Sequence, residues 1–503
     1  MNHDDSNHRE PYGGAETTEA SPLLDEGNER SGADAYRRRV IIVTFAMFFF
    51  LEFGAGLFIP AQTAALEQKI CDKIYSNIDP LDRDCKAPDV QGELADLQGW
   101  RTTLDCVPSL VATIPYGIIS NKWGRHRVLS LAFSGITLGL AFQLMVLYFD
   151  FFPVKLVLVS PMFMFLGGGP AVLTAMLYTT IADITSVSAR APIFFQLAAL
   201  FILSEVASGP LAGLVLLKSV WGLIALASVF YVLATATTFL LPDTLHLSKA
   251  ALDEDIDDAN DAAARTSTSD DSILQGSIRQ VREGGREIRS FLSGHGLVII
   301  FMFCYVLVAV SKVVQIMLLQ YATKRYNWSW SKASFLLTIR SAVSLVVLIL
   351  ILPALTQLLT TRFKVSVIRR DVWVARLTGL AGVLGALLIA LASTPEILIS
   401  GLTTFAIHGG MTAVLRSLLS NMVEHRYLGT MNSLLGILEM LGLMAGAPAL
   451  FSSLRRGFEL GGDLIGLPFI CAAAMIALST CVIWLLPVRD GKEHDEVCNE
   501  NGA

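Results

Sequence analysis

Apolar residues in this chain come in blocks of about twenty or more, separated by short polar turns, and that pattern limits what the chain can become. A helix in a soluble protein keeps a polar face, and these blocks have none. Twelve can be drawn, at residues 40 to 65, 98 to 120, 128 to 149, 154 to 182, 192 to 217, 219 to 241, 297 to 321, 333 to 357, 372 to 393, 396 to 421, 427 to 450 and 463 to 487. Lipid offers the backbone no hydrogen-bond partners, so each block must satisfy its own amides as a helix. The expected fold is all-α, a polytopic protein embedded in the lipid bilayer. The charged share is only 16%, and the net charge of -6 comes largely from the tail and two loops, with no basic stripe that would suit nucleic acid.

Basic residues set the expected orientation. Arg37, Arg38 and Arg39 stand directly before the first block, which puts the amino terminus in the cytosol by the positive-inside rule. Twelve crossings return the carboxyl terminus to the same side. Lys122, Arg125 and Arg127, then Arg279 to Arg289, then Arg362 to Arg370 fall in loops on that side. The expected units are a disordered cytosolic tail (1–39), a six-helix half (40–241), a cytosolic linker (242–296), a second six-helix half (297–487) and a cytosolic tail (488–503). Residues 1 to 35 are too polar for a signal peptide. They contain Glu19 and the pair Leu23-Leu24 in the form of an acidic dileucine sorting signal. The expected location is the plasma membrane or a vacuolar membrane.

The first outer loop holds Cys71 and Cys85, a disulfide candidate where that face is oxidising. Asn327-Trp-Ser329 is a glycosylation acceptor in another outer loop.

No phosphate-binding Gly-x-x-x-x-Gly-Lys-Ser/Thr loop occurs, nor Gly-x-Ser-x-Gly, nor His-Glu-x-x-His. Neither a nucleotide-driven pump nor a hydrolase has a basis in these residues, and no enzyme activity, metal or cofactor is expected. The ionisable residues inside the spans carry the interest, because each is costly in lipid. Glu52, Asp105, Glu205 and Glu439 supply acids, and Lys312, Arg340, Arg376 and Arg416 supply bases, with His408 in span ten. Glu205, Glu52 and Glu439 are the proton-exchange candidates. Arg416, Lys312, Arg340 and Asp105 are candidates for substrate contact or charge pairing, with Arg416 or Lys312 expected to partner the buried acids. Arg376 lies close enough to a span end to snorkel, and His408 suits a packing role.

The run Gly117-Ile-Ile-Ser-Asn121-Lys-Trp-Gly124-Arg125-His-Arg127 resembles the loop signature of the major facilitator superfamily. Asn121 stands where the family usually has aspartate. A second resemblance is internal: Gly169-Pro-Ala-Val-Leu-Thr-Ala in span four is echoed by Gly410-Met-Thr-Ala-Val-Leu in span ten. Gly209-Pro210-Leu-Ala-Gly213 is similar to the end of the glycine-proline motif of antiporters in the family, and Pro448 stands in the corresponding span of the second half. These two elements are expected to loosen their helices. The long first outer loop looks nearest to fungal facilitators distantly similar to the proton-coupled folate transporter branch.

The resemblance implies two pseudo-symmetric six-helix halves around a central site. It implies a monomeric secondary transporter of a small organic molecule, coupled to protons, with metabolite efflux as the first reading. An uptake symporter, a uniporter and a non-transporting sensor are the alternatives. It also implies an inner gate in which Arg125 meets Asp183. Among the acids, Glu205 is expected to be the main proton carrier, with Glu52 its rival and Glu439 secondary.

Overall fold

A computed structural model describes residues 21–185, 187–242, 296–362, 367–423 and 428–485. Glu19, most of the linker and the carboxyl-terminal tail lie outside the described residues, as do the side chains of Leu23, Leu24 and Asn121. Among the described residues, twelve helices are long and apolar enough to cross a membrane. They are α1 (Ser21–Ile74), α2 (Pro88–Trp123), α3 (Arg125–Tyr148), α4 (Val154–Ile184), α5 (Val187–Leu216) and α6 (Val220–Thr238), then α7 (Gly296–Tyr326), α8 (Trp330–Thr361), α9 (Val367–Ala390), α10 (Pro395–Ser420), α11 (Leu428–Leu460) and α12 (Gly462–Leu485).

Three expected boundaries move. Part of the tail expected to be disordered, from Ser21 on, belongs to α1, and residues 1–20 lie outside the described residues. At its other end α1 runs past residue 65 to Ile74, and α2 starts at Pro88 rather than 98. Glu67 and Gln91, both left in a loop by the apolar pattern, therefore lie on helices and are buried. Hydropathy reads the lipid-facing surface, so it stops short where a helix turns polar inside a protein interface.

The helices expected to loosen do not. α5 is continuous through Gly209, Pro210 and Gly213, and α11 is continuous through Pro448. Prolines are tolerated in membrane helices when neighbouring helices absorb the lost backbone bond. The breaks fall elsewhere. α4 is interrupted at Gly167-Gly168-Gly169, where Gly168 and Gly169 take φ of 80° and 71°, and α10 is interrupted at Gly409-Gly410. These are the corresponding fourth helices of the two halves, and the echoed signature begins at each break. α7 tightens for a turn at Lys312 and Val313.

One apolar core, around Leu57, Phe133 and Leu177, belongs mainly to the first half and takes in Leu319, Trp330 and Ala333 of the second, which packs two further cores, one around Phe405 and Phe469 and one around Phe301. The halves meet chiefly where α2 lies on α11 and α5 lies on α8. Adding six to each helix number exchanges one contact for the other, as pseudo-symmetric halves require.

Candidate functional site

Glycine decides how close α5 and α8 can come. A Cβ on Gly209 would collide with Thr338, and one on Gly213 with Phe335, so only these bare positions allow the approach. The motif expected to loosen a helix instead serves close packing. That approach brings Glu205 of α5 against Arg340 of α8, with Nη2 donating to Oε1 at 2.6 Å, while Ser341 Oγ donates to Oε2 at 2.9 Å. The pair borders a cavity of about 200 Å³ whose lining includes Gly56, Ile59, Ser208 and Gln315.

Glu52 of α1 is the other acid at this level. It makes no hydrogen bond or ion pair with a described residue, and Glu205 is close enough to act on it electrostatically. Tyr231 of α6 is fully enclosed and feels the charges of Glu52, Arg101 and Asp105. Asp105 sits one turn from Arg101, at 3.9 Å.

In the second half, Tyr305 of α7 donates to Glu439 Oε2 at 2.8 Å and accepts from Arg416 Nη2 at 3.2 Å. Lys312 donates to Thr412 Oγ1 at 2.8 Å. The expected partnering is thus corrected for Glu205, which Arg340 holds; at Glu439, Arg416 is linked through the phenol and Lys312 lies within electrostatic reach. A position along one helix does not say which neighbouring helix it faces. His408 is fully buried, 3.5 Å from Ser311 Oγ, and Arg376, ten residues into α9, lies over Trp373 and Trp484 and donates to the Ile483 carbonyl at 3.1 Å near the end of α12.

At the face that carries residues 117–127, Gly124 takes φ of 95° between α2 and α3 and turns the chain. Arg125 then grips Asp183 at the end of α4 with two donors. Arg127 is exposed, and nothing lies within 4 Å of the Cβ that Gly117 lacks. Across the pseudo-symmetry, buried Asp371 of α9 accepts from Ser417 Oγ at 2.7 Å and from its neighbour Arg370.

At the opposite face a disulfide joins Cys71 and Cys85. One turn before it, Glu67 is only 6% exposed. It accepts from Lys86 Nζ at 2.6 Å, from Gln91 Nε2, and from Trp330 Nε1 of α8 at 2.5 Å. Burial pushes the Lys86 ammonium down from its ordinary value, and the Glu67 carboxylate pulls it back up. Gln320 of α7 donates to the Gln91 carbonyl at 2.8 Å, and Lys324 to the Lys86 carbonyl. Arg455 pairs with Asp96, and Ser331 with the Gly213 carbonyl. Hydrogen bonds that cross between the halves are present at this face and, from Arg340 and Ser341 to Glu205, deeper between α5 and α8. Sequence reasoning missed Glu67, Gln91, Trp330, Arg101, Tyr305 and Asp371. Three of them carried a usable signal: Arg101 is an ionisable residue inside the span expected at 98–120, Glu67 an acid within a turn of a block's end, and Asp371 an acid directly before the block at 372.

Two six-helix halves, meeting through symmetry-related helix pairs and sharing ionisable groups at mid-membrane, define a membrane carrier. The model of the Major Facilitator Superfamily matches residues 41–447, and the chain belongs to that family. It is 29% identical over 398 residues to the MFS efflux pump atnC of Emericella nidulans, covering 78% of this chain and 75% of that protein. It is also 29% identical over 449 residues to the efflux pump ustT of Aspergillus flavus, covering 88% and 87%. Among solved structures it resembles a D-xylose-proton symporter, at a TM-score of 0.62 and 13% identity over 89% of this chain and 98% of the other, a likeness of fold. The chain is therefore a multi-pass membrane protein of a family that carries small molecules.

Proposed function

We propose that the protein exports a small organic molecule in exchange for protons, by rocking its two halves around the cavity at Glu205 and Arg340. The termini and the Arg125 loop face the cytosol in this reading, and the disulfide face is the outer one. The membrane is the plasma membrane or that of a vacuole. Relatives named as efflux pumps support the direction. The observation that carries proton coupling is Glu52, an acid without a counter-ion beside an ion pair that bridges the halves. A carboxylate left unpaired in low dielectric is costly, so such a group exchanges its proton as the cavity changes access. Glu205 is already neutralised by Arg340 and held by Ser341, which supports Glu52 as the carrier ahead of it and Glu205–Arg340 as the contact whose geometry the proton alters. Glu439, held by Tyr305, remains secondary.

The test uses proteoliposomes with an imposed pH gradient, incubated with an extract of fungal secondary metabolites. At least one compound should concentrate in the lumen and fail to do so with a protonophore. Glu52→Gln should abolish this accumulation and leave counterflow exchange intact. Accumulation that ignores the protonophore would overturn proton coupling.

A further inference from the structure

We infer that Glu67 is the residue on which opening of the disulfide face turns, a positioning residue for transport that lies outside the central cavity. The inference needs the chain to be a carrier, and is independent of its coupling ion and direction. Donors from two helices and a loop meet on this one carboxylate of α1, and α7 fastens to two of the residues that supply them. Lys86 and Gln91 reach it from its own half, Trp330 reaches it from the other, and Gln320 and Lys324 of α7 fasten to the backbone of Gln91 and Lys86.

The division of donors between the halves matters most. Parting the halves breaks the bond from Trp330, but the Lys86 ammonium leaves with Glu67, so the carboxylate never loses its charge partner. At Glu67, opening therefore gives up a neutral donor on a charged acceptor rather than a buried ion pair, and the ion pair that parts with it at this face, Arg455 with Asp96, is exposed to solvent. The Cys71–Cys85 disulfide makes this division hold. It ties the loop to α1 one turn from Glu67, directly before Lys86, and so keeps the ammonium on the carboxylate in either state. Lys86 also lies 4.6 Å from the centre of the Trp330 ring, a second contact that must part.

Distance measurements between spin labels on the full chain test this without a known substrate. The five cysteines other than Cys71 and Cys85 are replaced by serine. One label pair, at Ile78 and Leu460, spans the disulfide face. The other, at Phe195 and Leu358, spans the opposite face on α5 and α8. All four positions are exposed. Trp330→Phe removes the crossing donor and keeps the ring. It should raise the ratio of open to closed molecules about tenfold, the scale of one hydrogen bond to a charged group. Glu67→Gln should raise it further, and Cys71→Ser with Cys85→Ser should raise it less. In each case a longer distance at the disulfide face should appear together with a shorter one at the opposite face, because rocking closes one side as it opens the other. Broadening at the disulfide face alone would mark local loosening and overturn the inference. So would unchanged distances in both Trp330→Phe and Glu67→Gln, and Trp330→Phe decides the matter if the glutamine variant fails to fold.

Discussion

At the disulfide face, helices from both halves converge on Glu67, whereas at the Arg125 face the described ion pair to Asp183 and the bond from Ser417 to Asp371 each stay inside one half. Polar contacts of similar strength thus do different work. In the proposed rocking carrier, those inside a half keep it rigid while it moves, and those between halves set which face is closed. The Glu205–Arg340 pair belongs to the second kind, but lies at the pivot, where α5 and α8 come close enough to need glycine.

The largest expected effect breaks the pivot. Arg340→Gln leaves Glu205 with no cation in a tight helix contact, which should cost about 2–3 kcal/mol, less than a fully buried pair because the Glu205 side chain is 30% exposed. A clear fall in Tm in detergent and near-complete loss of transport should follow. Adding Glu205→Gln should recover most of the Tm and little of the transport. If the double variant is as unstable as the single one, the two residues are not coupled and the pivot is wrongly placed.

Glycine substitutions compare the regions directly. Gly209→Ala forces a methyl onto Thr338 and should cost about 1–3 kcal/mol through overpacking. Gly117→Ala meets open space in a helix, so it should be neutral or stabilise by about 0.5–1 kcal/mol. Equal losses at both sites, measured as Tm, would remove the distinction between a packed pivot and an open face.

Why Gly209 was read from sequence as a loosened helix, and Glu67 as loop, has one physical origin. Hydropathy and motif spacing report what a single helix offers to lipid, and on that basis the twelve spans, the Arg125 turn and the ionisable residues of the cavity were legible. Which helix each residue faces depends on packing across hundreds of residues. Glu205 and Arg340 were both visible as costly residues, yet their pairing was not. Tyr305 looked like one more aromatic in an apolar run, although it links Arg416 to Glu439.

That phenol gives a smaller effect, confined to one half. Tyr305→Phe removes the donor to Glu439 and should cost about 1–2 kcal/mol, because a partly buried acceptor is left unsatisfied. Since Glu439 and Arg416, the hydrogen-bond partners of Tyr305, lie in its own half, the balance between open and closed faces should hardly move. A large change in the label distances described above would show that this cluster also sets the state.

The smallest effect on activity concerns which face is which. Asn327 ends α7 with φ of 50°, a left-handed cap that asparagine tolerates well, and its side chain is exposed beside the disulfide face. If that face is the outer one, glycosidase treatment should increase electrophoretic mobility, and Asn327→Gln should do the same while leaving transport unchanged. The acceptor lies close to the membrane, so an unmodified Asn327 would not by itself reverse the orientation. Protease protection decides. Cleavage near residue 327 only from the cytosolic side would put the Glu67 cluster at the inner face and Arg125 at the outer one, and the contrast between the two faces would stand with its sign reversed.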